Sequence, residues 1–285
     1  METLQSRIVV DGLIYPEGIR WAQDKVWFSD MFARRVYAHD PRTGETEVVA
    51  ETDDLPSGLG FLPDGRLLIA TMRDRKLLRL DPEGLTTVAD LSSVSDLLND
   101  MVVDARGRAY MDFYIRGGGG LILVEPDGGW RIVADDMTSP NGLAVTDEGR
   151  TLVVNDLGAN RILAFDIAED GGLSGRRTFA DLGDCSPDGL CLDADGGAWV
   201  GQPFQGRFRR IVEGGEVTHE IAYGAKWGIA PVLGGPDRRS LFLCTAEISL
   251  EAIQRLMCDP TDARTQSRGW IEVVDSIQTP GAGRP

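Results

Sequence analysis

The sequence has very little histidine and no paired cysteine motif. Its 285 residues include two histidines and four cysteines, and the cysteines form no CxxC pair. Hydrolysis by a Ser-His-Asp triad, HExxH zinc chemistry and thiolate zinc sites therefore lack the residues that they need. Without a disulfide framework, we expect the cysteines to be reduced. Any catalysis must depend on carboxylates, amides and a hard metal ion.

Positive charge is also scarce, and no apolar run has the length of a membrane span. Lys and Arg total 29 against 45 Asp and Glu, which gives a formal net charge of −16. No segment concentrates Lys and Arg enough to neutralise several phosphates, so we expect neither nucleic acids nor membrane surfaces as partners. The first residues carry no signal-peptide pattern, which predicts a cytoplasmic protein. The oligomeric state stays open.

Glycine is abundant, and the sequence alternates short apolar runs with turns. The 35 glycines are spread along the chain, and turns of the Asp-Gly type precede short runs of apolar and β-branched residues. These runs predict strands at residues 26–29, 67–71, 109–113, 151–154, 198–201 and 240–244. A helical period of 3.6 persists nowhere, although residues 250–257 allow one short turn of helix.

A small dipeptide, which we call the marker, divides the chain into repeats. The markers are Glu17-Gly18, Ser57-Gly58, Asn99-Asp100, Asn141-Gly142 and Asp188-Gly189, and a sixth unit begins near Trp227-Gly228. Repeats of about 40 to 45 residues with four strands each are typical of propeller blades. We therefore predict an all-β fold, a single six-bladed β-propeller domain over residues 1–285 with four-stranded antiparallel blades. Either residues 7–10 or residues 269–274 form the outermost strand that closes the ring.

The first residues of the markers meet on the propeller axis in such a fold. They are Glu17, Ser57, Asn99, Asn141 and Asp188, with Lys226 or Trp227 from the sixth unit. Carboxylates that converge in a low-dielectric channel repel one another unless a cation neutralises them. Oxygen ligands without thiolate or imidazole favour Ca²⁺, Mg²⁺ or Mn²⁺. Asn-Gly and Asp-Gly are also ordinary turn dipeptides, but their common register favours a central channel that contains a metal.

The marker segments resemble motifs of a known family. The similar segments are Tyr15-Pro16-Glu17-Gly18, Asn99-Asp100, Ser139-Pro140-Asn141-Gly142-Leu143 and Ser186-Pro187-Asp188-Gly189. They resemble the SMP-30/gluconolactonase/luciferin-regenerating-enzyme family of six-bladed propellers over nearly the full length. Members of that family bind one divalent cation, commonly Ca²⁺ and sometimes Zn²⁺ or Mn²⁺, and many hydrolyse lactones. The resemblance implies that Glu17, Asn141 and Asp188 are metal ligands, that Asn99 contacts water or substrate, and that Asp188 is the base.

One departure from the family concerns the substrate. Sugar-lactone enzymes of the family have an arginine two residues before the Asn-Asp pair, where this chain has Leu97. That difference argues against a heavily hydroxylated ligand. The other predicted substrate-binding residues, expected at the mouth of the channel, are Met31, Met72, Phe113, Tyr114, Phe204 and Trp227. Any one of them has packing between blades as an alternative role.

The sequence thus predicts a metal-dependent hydrolase for a lactone that is less polar than an aldonolactone. A bound cation would polarise the carbonyl, Asn99 would orient the carbonyl or the water, and Asp188 would take a proton from the water. Asp112 and Asp156 are reserve candidates for this base. Two alternatives stay open: a metal-templated cyclase or isomerase, and a propeller that binds Ca²⁺ without catalysis.

Overall fold

The strands and turns of the sequence assemble into the blades of a propeller. The computed structural model describes residues 1–146 and 148–284, and the strands of these residues form six sheets. The chain begins with β1 (Glu2–Thr3) and β2 (Arg7–Leu13), which join blades formed mainly by later residues. The all-β, six-bladed propeller that the repeats predict is confirmed.

Blades 1 to 4 each take four consecutive antiparallel strands. Blade 1 contains β3 (Pro16–Ala22), β4 (Lys25–Asp30), β5 (Arg35–His39) and β6 (Thr46–Glu51). Blade 2 contains β7 (Pro56–Phe61), β8 (Leu67–Thr71), β9 (Lys76–Asp81) and β10 (Gly84–Asp90). Blade 3 contains β11 (Leu97–Val103), β12 (Ala109–Ile115), β13 (Gly118–Val124) and β14 (Trp130–Met137). Blade 4 contains β15 (Pro140–Val145), β16 (Thr151–Asp156), β17 (Arg161–Ile167) and β18 (Leu173–Asp181).

Blades 5 and 6 incorporate both ends of the described chain. Blade 5 contains β19 (Leu190–Asp193), β20 (Ala198–Gln202), β21 (Arg207–Ile211) and β22 (Val217–Ala222). Blade 6 contains β23 (Trp227–Gly234), β24 (Ser240–Glu247), the helices α1 (Leu250–Cys258) and α2 (Ala263–Gln266), and β25 (Arg268–Val274). The last strand, β26 (Gly281–Ala282), pairs with β19. Because β1 and β26 add to its two edges, blade 5 has six strands instead of the predicted four.

The N-terminal strand closes the ring. β2 pairs with β25 as the outermost strand of blade 6, so residues 7–10 close the propeller and residues 269–274 belong to the third strand of that blade. Each of the six predicted strands is the second strand of a blade, and the predicted helix is α1. No helix in the described part of the chain has the length and apolar character that crossing a bilayer requires.

Apolar side chains fill the gaps between neighbouring blades. The buried apolar residues that the structure describes form six clusters. Five of them join two adjacent blades, and the cluster between blades 6 and 1 also includes Leu55 and Met72 beside the strands of blade 2. Between blades 2 and 3, for example, Leu68 and Leu77 pack with Leu98 and Met111. Alternate residues of a strand face opposite sides, so one strand supplies the packing on both faces of its blade. This packing holds the innermost strands around the channel.

The marker glycines allow these innermost strands to approach one another closely. A Cβ atom on Gly18 would lie 2.1 Å from the carbonyl oxygen of Ser57, in the marker of the next blade. A Cβ atom on Gly142 would lie 2.3 Å from the carbonyl oxygen of Asp188. The marker therefore combines a side chain for the channel with a glycine that fits against the neighbouring blade.

Replacing Gly18 with Ala is expected to lower the free energy of unfolding by about 3 kcal/mol, because a backbone clash adds to the strain of a positive φ. Gly183→Ala is the matched control, since Gly183 has a φ of +60° against +58° for Gly18 but nothing within 4 Å of the added Cβ. We expect the control to lose only about 1 to 2 kcal/mol. Urea unfolding of both variants measures the difference, and equal losses would contradict this role of the glycine.

Candidate active site

Four polar marker side chains line one pocket at the end of the channel where the innermost strands begin. Glu17, Asn99, Asn141 and Asp188 line this pocket, which has a volume of about 300 Å³. Each of the four residues is at most 8% exposed. The convergence that the repeat predicts is therefore present, and it brings two carboxylates and two carboxamides together.

Hydrogen bonds orient two of the three candidate metal ligands. The backbone N–H of Gly18 donates to Oε2 of Glu17 at 3.0 Å, and that of Gly142 donates to Oδ1 of Asn141 at 2.7 Å. Asn141 also lies close enough to the carboxyl group of Asp188 to lower its pKa. Carboxylate and carboxamide oxygens have lone pairs beyond these bonds, so all three side chains can still offer oxygen to a cation.

Negative charge at these carboxyl groups is costly in the absence of a cation. Burial, and then the charge of Asp188, raise the pKa of Glu17 well above its usual value. Burial, and then the charge of Asp100, raise the pKa of Asp188 to about 8, although Asn141 opposes the shift. A bound cation would relieve both effects.

The chemistry of the donor set fits a hard divalent cation. Within residues 1–146 and 148–284, no three side chains drawn from His, Cys, Asp and Glu are arranged around one point. A cation here would instead be bound by a mixed set of two carboxylates and a carboxamide oxygen, from Glu17, Asp188 and Asn141. Oxygen donors of this kind, with water in the remaining positions, suit Ca²⁺, Mg²⁺ or Mn²⁺.

Asn99 presents its amide group to the pocket. The Oγ of Ser57 donates a hydrogen bond to Oδ1 of Asn99 at 2.8 Å. Because the carboxamide oxygen is engaged in this way, the NH₂ group is the part of Asn99 that can donate to a bound molecule. Ser57, itself a marker residue, thus fixes the orientation of its neighbour.

Arg20, a buried arginine three residues after Glu17 in β3, was not predicted from the sequence. Its Nη2 donates to Oδ1 of Asp100 at 2.6 Å and to the carbonyl oxygen of Met101, and its Nη1 donates to the carbonyl of Ile19 at 2.7 Å. The side chains of Arg20 and Asp100 are only 5% and 7% exposed. The guanidinium therefore neutralises one carboxylate of the channel from within the protein. The available signal was a charged residue between two large apolar ones, Ile19 and Trp21, in an innermost strand.

Asp112 lies behind the pocket and not in it. It is completely buried, and its Oδ1 accepts the backbone N–H of Asp100 at 3.0 Å. Burial, and then the charge of Asp100, raise the pKa of Asp112 well above its usual value. The structure therefore gives Asp112 a position from which it supports the blade 3 marker, and not the contact with substrate that a catalytic base needs.

Asp156, the other reserve candidate for the base, is also completely buried and absent from the pocket lining. Its Oδ1 accepts the backbone N–H groups of Thr138 and Ser139, at 3.0 and 2.9 Å. These residues belong to the loop that leads into Asn141. Asp156 therefore holds a marker segment in place, as a structural group.

The mouth of the pocket is lined by apolar residues from equivalent positions in four blades. These residues come directly after the second strand and are Met31, Met72, Leu157 and Pro203. Three positions later the chain adopts the left-handed conformation, at Arg34, Arg75, Asn160 and Gly206. The repeated turn explains why Met31 and Met72 reach the mouth, and the same rule applied to blade 4 gives Leu157, which the sequence reasoning missed.

Six of the seven predicted substrate-binding side chains line the pocket. They are Leu97, Met31, Met72, Tyr114, Phe204 and Trp227. Phe204 and Trp227 meet edge to face with their ring centroids 5.2 Å apart. The structure places Phe113 outside the pocket lining, where it packs between blades 2 and 3, because adjacent residues of a strand point to opposite faces.

Comparison with known proteins identifies the family. A sequence model of the SMP-30/Gluconolactonase/LRE-like region matches residues 15–247. The chain belongs to this family. It is 26% identical to a 6-deoxy-6-sulfogluconolactonase of Pseudomonas putida over 230 residues, which cover 78% of this chain and 79% of the relative. It is also 26% identical to pentonolactonase XacC of Haloferax volcanii over 257 residues, which cover 85% of this chain and 84% of the relative.

Solved structures of similar proteins show the same fold. A calcium-binding regucalcin from Agrobacterium tumefaciens has a TM-score of 0.77 and 21% identity, covering 97% of this chain and 98% of that one. A luciferin-regenerating enzyme has a TM-score of 0.80 and 18% identity, covering 96% of each chain. At these identities the likeness establishes the propeller fold, and the site must be argued from this chain's own residues.

An apolar wall of the pocket lies outside the segment that the SMP-30/gluconolactonase family model matches. Leu250, Ile253 and Met257 of α1 line the pocket, and their spacing places them on one face of the helix. Ala252 and Leu256 pack into the core beneath α1. The helix follows β24 and covers one side of the mouth.

Proposed function

We propose that this protein is a metal-dependent lactonase whose substrate is less polar than a sugar lactone. The observation that carries the proposal is one pocket in which Glu17, Asn99, Asn141 and Asp188 lie at the base of an apolar mouth. Membership of the family and the lactonases among its relatives support the hydrolytic chemistry. The apolar mouth supports the choice of substrate class.

Glu17, Asn141 and Asp188 would hold a divalent cation, and Ca²⁺ is the first candidate because the donors are all oxygen. When bound, the cation supplies a Lewis acid for the lactone carbonyl and for the charge that develops on its oxygen. A calcium-binding regucalcin among the structural relatives is consistent with this choice.

The protein's own side chains supply orientation and proton transfer. The NH₂ group of Asn99 donates to the carbonyl or to the attacking water, in the orientation that Ser57 fixes. Asp188 accepts a proton as the water oxygen bonds to the carbonyl carbon. The ring C–O bond then breaks, and the proton passes to the departing alkoxide, so that the product is a hydroxy acid. Water, lactone and product balance without a further reactant.

The walls of the pocket favour a substrate with a hydrocarbon substituent. A volume of about 300 Å³ accommodates a small lactone ring with a short side chain, and Leu250 and Phe204 are half-exposed at the opening. Hydroxyl groups of a sugar lactone would lose water on entering and find apolar side chains in its place. A hydrocarbon chain would gain from the same burial.

The test is a panel of lactones that differ in polarity. Purified protein with Ca²⁺ should hydrolyse alkyl- or aryl-substituted lactones with a kcat/KM at least about tenfold higher than for gluconolactone, the discrimination expected from one or two buried methylene groups. A pH indicator follows the acid released. Turnover of sugar lactones alone would contradict the proposed substrate class but not the proposed lactonase activity. Binding of the metal without turnover of any lactone would contradict the lactonase activity itself.

Leu97→Arg is expected to lower kcat/KM for the alkyl lactones by about tenfold or more, because a charged group enters the apolar pocket. The matched control is Leu85→Arg, the same replacement at an exposed position on the outermost strand of blade 2, which should leave kcat/KM unchanged. If both variants hydrolyse the alkyl lactones like the wild type, Leu97 does not contact the substrate.

A further inference from the structure

A second cavity opens at the end of the channel opposite the candidate active site, with a volume of about 450 Å³. The innermost strands run from the markers to this end, and their last residues line the cavity, among them Ala22, Phe61, Val103 and Val145. The C-terminal segment contributes Gly283 and Arg284 to the lining, and the backbones of Val145 and Arg284 exchange two hydrogen bonds of 2.7 Å. The cavity is therefore built from several blades and held by backbone pairing.

Three arginines from separate parts of the chain line this cavity. They are Arg20 in β3, Arg238 in the turn between β23 and β24, and Arg284 after β26. No Asp or Glu is among the lining residues that the structure describes. Because Asp100 neutralises Arg20, Arg238 and Arg284 supply the positive charge at this cavity, in a chain with a net charge of −16.

Two of the guanidinium groups have hydrogen-bonding capacity that the described residues do not use. The Nε atoms of Arg20 and Arg238 are buried and have no hydrogen-bond partner within residues 1–146 and 148–284. Arg20 as a whole is 4% exposed, and its Nη2 is paired with Asp100. A buried N–H group without an acceptor costs free energy and calls for a bound water or ion.

Carboxylates near in the sequence do not neutralise Arg238. Asp237 precedes it in the same turn, but Asp237 is exposed and its Oδ1 accepts the backbone N–H of Arg239 at 3.2 Å. Arg238 also has a φ of +56°, a conformation that residues other than glycine adopt rarely. The turn thus places the partly buried, positively charged side chain of Arg238 in the wall of the cavity.

We propose that this cavity is a binding site for a small oxyanion, of the carboxylate, sulfate or phosphate type. Guanidinium groups offer planar pairs of N–H donors that match oxyanions, and the bonds are charge-assisted. A volume of about 450 Å³ holds such an anion together with water or a short carbon chain. The site is separate from the lactone pocket and does not depend on the proposed function.

The test is calorimetric titration of the Ca²⁺-loaded protein with sulfate at constant ionic strength in chloride. We expect saturable binding to the wild type and at least about tenfold weaker binding to Arg238→Met and to Arg284→Met, because each loses a charged donor. Arg42→Met is the control, since Arg42 lies on a turn at the same face with its side chain 82% exposed. It should bind sulfate as the wild type does.

A second titration, with 4-hydroxybutanoate, distinguishes an organic carboxylate from an inorganic anion as the preferred ligand. Thermal unfolding in chloride shows whether each variant is folded. If Arg238→Met does not fold, Arg284→Met alone provides the test. Its replacement should not disturb the fold, since the Arg284 side chain is exposed and makes no hydrogen bond within the described residues. Absence of saturable binding of either anion, or equal binding to the wild type and to both arginine variants, would overturn the proposal.

Discussion

Replacing Asp188 with Asn is expected to lower kcat for lactone hydrolysis by about 10²- to 10⁴-fold, the usual contribution of a positioned general base. The carboxylate lies in the same pocket as Asn99 and the two other candidate ligands. Asparagine has nearly the same shape but accepts no proton at neutral pH, so packing is preserved while proton transfer is lost. Initial rates at saturating substrate measure the effect.

Because Asp188 is also a candidate ligand, Ca²⁺ affinity must be measured on the same variant. A fall in kcat that persists at saturating Ca²⁺ identifies the loss as that of the base, whereas recovery at high Ca²⁺ identifies a ligand alone. The matched comparison is Asp112→Asn, which we expect to retain kcat within a few-fold. Asp112 does not line the pocket, and asparagine keeps the side-chain oxygen that accepts the backbone N–H of Asp100. An undiminished rate for Asp188→Asn would remove Asp188 from the mechanism.

Replacing Arg20 with Met is expected to lower the free energy of unfolding by about 3 to 5 kcal/mol, because it leaves a buried charge without its partner. The partner is Asp100, whose Oδ1 lies 2.6 Å from Nη2 of Arg20. Glu17 and Asp188 are close enough that the charge of Asp100 raises the pKa of both. Loss of the guanidinium would therefore increase repulsion throughout the carboxylate cluster.

Urea unfolding of Arg20→Met, with and without Asp100→Asn, tests this account. The double variant should recover part of the loss, since removing the second charge removes the unpaired carboxylate. Arg7→Met is the control, because the Arg7 and Asp275 side chains are 63% and 55% exposed and such a pair contributes at most about 1 kcal/mol. If the Arg20 and Arg7 variants lose equal stability, the buried pair has no special role.

The sequence was sufficient to predict the blades and the residues on the axis. The marker repeats at blade spacing, and each of the first five markers combines a polar side chain with a glycine or, in blade 3, with Asp100. That period fixes which residues begin the innermost strands, so Glu17, Asn141 and Asp188 could be placed together without any contact being known. The second strands were predictable because each is a short apolar run that follows a turn after its marker.

The contacts that depend on distant pairing were not predictable. Arg20 forms an ion pair with Asp100 across 80 residues of sequence. The sequence around either residue does not indicate that the two side chains interact. The position of Phe113 outside the pocket was not predictable, because side-chain direction in β12 depends on strand register and β11 has a bulge between Leu98 and Met101. That irregularity shifts the register just where Asp112 and Tyr114 are placed.

The wall formed by α1 illustrates a further limit. The helix itself was predicted, and its spacing puts Leu250, Ile253 and Met257 on one face. The path of the connection between β24 and β25 decides which face of α1 turns toward the mouth. The sequence pattern does not predict that path. The packing of Ala252 and Leu256 into the core settles the orientation.

The most direct test of metal-dependent lactone hydrolysis at this site is the initial rate on an alkyl lactone after complete removal of divalent cations. Ca²⁺, Mn²⁺ and Zn²⁺ are then added back one at a time, while circular dichroism monitors the fold. We predict that the chelated protein stays folded with a rate at background, and that at least one cation restores turnover. A chelated protein that hydrolyses the lactone at the full rate would contradict the account.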